Sequence, residues 1–245
     1  MHFHETTLKS GLRLIVTPMP SLESATLTVW VRVGSRNEEK ERGGVSHFLE
    51  HVVFKGGKKY KNAQEVSHAT DSIGAESNAG TSQEWTNFYI KCQASKMESA
   101  FDILSDILLY PKLTEQDMDV ERGVILEEIA MKNDNPMDKI GDIFADLIFE
   151  GNPLSWDISG SKETVTNIKR QDFVDFRRGF YSASNIVITV SGGVEVKEIK
   201  NITKNYFSKL KPNTIKDPIK FVASQNKPKL KVEFKKGEQA HLILG

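Results

Sequence analysis

The hydrophobic period of this chain changes to helical near Ser95, and that switch limits the possible folds more than any other feature. Before it, Leu12–Val16, Thr26–Val33 and Trp85–Gln93 read as strands, with turns at Ser10-Gly11 and Gly34. After it, Met97, Phe101, Leu104 and Leu108 recur at helical steps until Pro111 stops the run. Further helices are expected at 115–132, opened by the Thr114/Asp117 capping pair, and at 137–149, after the Asn135-Pro136 break. An earlier helix, Ala63–Ile73, has Asn62 as its N-cap and ends at Gly74. A strand at Ala75–Thr81 and another at Ile186–Ser191 complete the sheet, and helices at 170–179 and 195–210 flank the latter. Strands and helices therefore come in blocks rather than in βαβ alternation. The expected class is α+β: a layered domain with a mixed, largely antiparallel sheet packed against helices.

Charge and cysteine content exclude several functions. The formal net charge is zero, which argues against nucleic acid as a partner. That zero is a cancellation: residues 1–195 carry 21 basic and 29 acidic side chains, and residues 196–245 carry 12 lysines and 4 acids. The single cysteine, Cys92, permits no internal disulfide and no all-thiolate metal site. No apolar run is long enough to span a membrane and the N-terminus has no signal-peptide pattern, so the default expectation is a cytoplasmic protein.

The chemistry concentrates in His47-Phe48-Leu49-Glu50-His51. On a helix, residues i and i+4 share a face, so both imidazoles can address one ion. Phe48, Leu49, Val52 and Val53 supply the apolar flank that docks such a helix into a core. Neutral imidazoles with an oxygen donor suit Zn²⁺, and a catalytic zinc takes three protein ligands plus one open position. The helix at 115–132 offers Glu121, Glu127 and Glu128. Glu121 and Glu128 lie seven apart on one face, and Glu127 is turned by about 100° from its neighbour. Spacing alone leaves the choice between Glu127 and Glu128 open.

The segment Gly43–Gly56, which holds H-x-x-E-H, resembles the active-site segment of the pitrilysin/insulinase family of zinc peptidases. The subgroup it is most similar to is that of mitochondrial processing peptidase and its bacterial relatives. Glu121–Glu128 resembles the family's second signature, and Glu76–Tyr89 resembles its substrate-binding edge strand. The resemblance implies His47, His51 and Glu128 as Zn²⁺ ligands, one ion per domain. It implies Glu50 as the general base toward the zinc-bound water, and Glu121 as the carboxylate that supports a ligand. Asn78, Ala79 and Thr81 are implied to pair with an extended peptide by β-augmentation. The implied function is a zinc-dependent endopeptidase acting on peptides or unfolded polypeptide segments.

The resemblance also implies a clamshell of two homologous halves. The expected division is a catalytic domain over 1–210, a linker over 211–228 and the opening strands of a second domain over 229–245, at 229–235 and 240–244. The implied partners are a peptide substrate and a missing C-terminal half-domain or partner subunit, with a dimer expected at full length and neither nucleic acid nor membrane. The alternative in a different class is a non-catalytic family member acting as a structural or partner subunit. Such members lose a ligand or the base, whereas this sequence displays all of them. S-ribosylhomocysteine lyase also has H-x-x-E-H but uses a cysteine ligand, and Cys92 sits within a predicted strand without that enzyme's surrounding pattern.

Overall fold

The computed structural model describes residues 2–236 and 239–245. The six strands are β1 (His4–Thr7), β2 (Arg13–Pro18), β3 (Ser24–Val31), β4 (Glu76–Thr81), β5 (Thr86–Gln93) and β6 (Ile186–Gly192). They form one sheet in the order β1-β2-β6-β3-β5-β4. Only the β2–β6 pair is parallel; the other pairs are antiparallel. The architecture is the expected α+β one, with a mixed and mostly antiparallel sheet.

The helices are α1 (Val45–Val53), α2 (Ala63–Ser72), α3 (Met97–Leu109), α4 (Glu115–Asp134), α5 (Pro136–Ile148), α6 (Lys162–Asn167), α7 (Arg170–Phe180) and α8 (Val196–Phe207). Alternation decides which sheet face they cover. Leu27, Val29 and Val31 of β3, Phe88, Ile90 and Cys92 of β5, and Ile188 and Val190 of β6 are all buried. Helix α3 packs on β5 and β3, α8 on β2, and α1 on β4 and β5. The residues between them include Trp30, whose Nε1 donates to Thr189 Oγ1 at 3.3 Å on the opposite face. Removing each large apolar side chain of this core from water contributes roughly 1.5–3 kcal/mol.

The caps hold the helix starts where the sequence places them. Asn62 accepts from Glu65 N at 2.8 Å and Thr114 from Asp117 N at 3.1 Å. Asn135 caps α5, with Pro136 in its first turn. Helix α6 is an addition to the sequence reading. Its signal was a capping pair, with Ser161 Oγ accepting from Thr164 N at 3.1 Å.

The strands expected at 229–235 and 240–244 are absent among the described residues; both segments lie outside helix and strand. A strand needs a ladder partner, and among the described residues no strand pairs with either segment. The segment instead lies along α5, against Ile140, Ile143 and Phe144. Lys229 pairs with Glu150 at 2.8 Å and Lys231 with Asp146. The lysine-rich end of the sequence thus meets part of the acidic excess of the remainder. Among the described residues no helix is long and apolar enough to cross a membrane.

Candidate metal centre

Helix α1 has no side chain of its own to cap it, because Gly43-Gly44 precedes it and Gly44 sits at φ +92°. Its first N–H groups are taken by Glu38, which reaches in from the preceding loop. Glu38 Oε2 accepts from Gly44 N at 2.7 Å and Oε1 from Ser46 N at 2.8 Å. An anion at a helix N-terminus also complements the helix dipole. Glu38 is 7% exposed, and burial pushes its carboxyl up to about 7, against the opposing hydrogen bonds. In the sequence Glu38 lies in a polar stretch between Gly34 and Gly43. The available signal was a buried apolar helix that began on two glycines and so needed a cap from elsewhere.

Phe48, Leu49, Val52 and Val53 are fully buried, which leaves His47, Glu50 and His51 on the less buried stripe of α1. His47 Nε2 and His51 Nε2 lie 3.3 Å apart. Glu128 Oε2, from α4, is 3.7 Å from each of them. The three side chains are the one group of metal-competent donors that converges among the described residues, with ligand atoms within 4.8 Å of one another. A tetrahedral ion with bonds of about 2.0–2.1 Å needs donors roughly 3.3 Å apart, so this triangle fits zinc with small adjustments. Two imidazoles and one carboxylate are also a donor set that zinc accepts. Burial and the neighbouring His51 push His47 down to about 4, which keeps its ring neutral and its lone pair free at neutral pH.

The two candidate glutamates separate clearly. Glu127 is exposed, while Glu128 is half-buried beside the histidines. Glu121, one full heptad before Glu128, is 6% exposed. Its Oε2 lies 3.0 Å from His51 Nδ1, and its Oε1 pairs with Lys55 Nζ at 2.5 Å. Each oxygen therefore has its own partner, which holds the carboxylate beside His51 and fixes its imidazole ring.

Glu50 also faces this site. Burial raises its carboxyl, and the hydrogen bond from Thr81 opposes that rise. The Thr81 hydroxyl donates to Glu50 Oε2 at 2.5 Å. Thr81 ends β4, an edge strand paired on one side with β5. Ala79 and Thr81 point to the same face of β4, and Asn78 Oδ1 accepts from Ala79 N at 2.8 Å. Of the three strand residues singled out from the sequence, Thr81 thus touches Glu50 directly, whereas Asn78 lies exposed along the edge.

Arg122 bolts α4 in place. Its guanidinium donates to the carbonyls of Val165, Thr166 and Ile168 at the end of α6. It also stacks over the Phe48 ring at 5.3 Å. The sequence reading gave Arg122 no role.

A family model described as insulinase, peptidase family M16, matches residues 14–162. The chain belongs to the insulinase family. A second model, described as the peptidase M16 inactive domain, matches residues 167–245. An uncharacterized zinc protease of Streptomyces coelicolor is 36% identical over 98% of this chain and 53% of its own length. The beta subunit of the mitochondrial-processing peptidase of Caenorhabditis elegans is 36% identical over 84% of this chain and 44% of its own. A crystal structure of a protease from Helicobacter pylori superposes with a TM-score of 0.83 at 27% identity, covering 89% of this chain and 53% of that one. Pitrilysin superposes with a TM-score of 0.81 at 23% identity, which shows a shared fold. The chain spans about half the length of the curated relatives it matches.

Proposed function

We propose that this chain carries the catalytic half of a zinc-dependent endopeptidase that cleaves peptides or unfolded polypeptide segments. The observation that carries the reading is the triangle of His47, His51 and Glu128 with the Glu50 carboxylate facing it. His47, His51 and Glu128 would hold Zn²⁺, in keeping with relatives from Streptomyces coelicolor and Mycobacterium leprae that are named zinc proteases. When bound, the ion would polarise a peptide carbonyl and make water acidic enough to ionise near neutral pH.

The side chains supply the rest. Glu50 would take the proton from the attacking water and return it to the leaving amine nitrogen. Thr81 holds Oε2 of Glu50, so Oε1 is the oxygen for that transfer. Burial raises the basicity of Glu50, which brings a carboxylate closer to the range a general base needs. Glu121 would fix the His51 ring and strengthen it as a ligand. The free edge of β4, at Asn78, Ala79 and Thr81, would bind substrate as an added strand, which gives affinity through the backbone with little sequence demand. Substrate would then lie directly beside Glu50.

A second half-domain, in the same polypeptide or in a partner subunit, would close the chamber over this site. The domain division proposed is 1–210, a linker over 211–228, and the beginning of that second half over 229–245. The decisive experiment is Glu50→Gln in the complete protein. Zinc content should be unchanged and peptide turnover should fall by about 10²–10⁴-fold. Turnover within a few-fold of wild type would overturn the role of Glu50.

A further inference from the structure

His51 is oriented by a carboxylate on its other ring nitrogen, but His47 is not. The Nδ1 atom of His47 is buried without a protein partner among the described residues. Its position must therefore come from where α1 begins, since His47 lies in the first turn. The start of α1 rests on the 157–160 loop, backbone against backbone. A Cβ added to Gly44 would sit 2.5 Å from Ser159 O, and one added to Gly160 would sit 2.2 Å from Gly43 O. Any shift of that loop moves the first turn of α1.

The loop is in turn fastened to the helix that carries Glu128. Asp157 Oδ1 accepts from Ser159 N at 2.9 Å and so shapes the loop where it meets Gly44. Asp157 Oδ2 accepts from Lys132 Nζ at 3.0 Å. Lys132 lies on α4 four residues after Glu128, on the same face and one turn further along. The same ammonium donates to Asp142 Oδ1 of α5 at 2.9 Å.

We propose that the Lys132–Asp157 ion pair sets the separation between Glu128 and His47, which makes both positioning residues of the metal centre. The chain of contacts runs from Glu128 along one turn of α4 to Lys132, then to Asp157, Ser159, Gly44 and His47. It closes a loop between two helices whose ligands are far apart in sequence. The inference rests on the reading that His47, His51 and Glu128 bind zinc.

The test measures zinc affinity by chelator competition on the complete protein, together with the visible spectrum of the Co²⁺-substituted form. Lys132→Met and Asp157→Asn should each weaken zinc by about tenfold, the lower end of what supporting contacts are worth. Lys132→Arg, which can still bridge two carboxylates, should recover most of the affinity. The double variant Lys132→Met/Asp157→Asn should be no weaker than Lys132→Met alone, because the Lys132–Asp157 contact is already lost there. The Co²⁺ bands should shift in the single variants, which a mere loss of stability would not cause. Zinc affinity within twofold of wild type in both singles would overturn the proposal, and so would full additivity in the double. If Lys132→Met does not fold, Asp157→Asn and Lys132→Arg decide the matter by the same criteria. A wild-type protein that binds no zinc would instead overturn the reading of the site, and this inference with it.

Discussion

Replacing Glu38 by glutamine tests how the start of helix α1 is held. Glu38 is nearly inaccessible, and both its oxygens face backbone N–H groups at the start of α1. Burial moves its carboxyl from an ordinary 4.5 to about 7 in the folded protein. Between those two values the unfolded chain has lost the proton and the folded chain keeps it. The folded state then binds more protons than the unfolded one, so stability falls as pH rises through this window. At about 1.4 kcal/mol per pH unit, the gap corresponds to about 3 kcal/mol lost between pH 4.5 and 8. The ionised carboxylate is costly to bury, yet it is the form with acceptors for both N–H groups. Glutamine cannot ionise, so the Glu38→Gln variant should lack this component. Urea unfolding at several pH values would measure it, as the difference in pH dependence between wild type and variant. Wild-type and variant curves that run parallel from pH 4.5 to 8 would refute the reasoning.

Three further perturbations follow from the same geometry. Glu128→Ala removes one of three donors and should weaken zinc binding by more than about 100-fold, beyond what loss of a supporting contact costs; metal analysis showing full zinc content would remove Glu128 from the ligand set. Thr81→Val removes the hydroxyl that holds down the carboxyl of Glu50. The acid limb of kcat/KM should therefore move to higher pH, and an unmoved limb would dissociate Thr81 from the base. Lys55→Met strands the buried Glu121 carboxylate and should destabilise the fold by about 2–3 kcal/mol. Adding Glu121→Gln should recover part of that loss in a thermal melt, and strict additivity would argue that the pair is not coupled.

Much of the fold was legible because local patterns and tertiary structure agree. Strand period in Thr26–Val33 and helical period in Met97–Leu108 each reflect burial on one face, and the structure buries those same faces. The caps at Asn62 and Thr114 were readable for the same local reason. The failures have a common cause. The segments 229–235 and 240–244 have strand patterning but no ladder partner, so the pattern does not become a strand. The insertion of β6 between β2 and β3 joins residues more than 150 positions apart, and no local signal encodes that pairing.

The donor types and their helical spacing follow from the order of the amino acids alone. Histidines at i and i+4 share a face on any helix, and that holds before any packing is known. Helical spacing also places Glu121 and Glu128 on one face of α4. Which face of α4 meets α1 is a matter of packing, which leaves Glu127 in solvent and brings Glu128 to 3.7 Å from both imidazoles. Packing likewise shows that Glu38 caps α1, that Thr81 reaches Glu50 and that Lys132 pairs with Asp157. The physical reason is range. Helical periodicity is set by bonds four residues apart, whereas a metal site assembled from two helices depends on long-range packing that local spacing does not record.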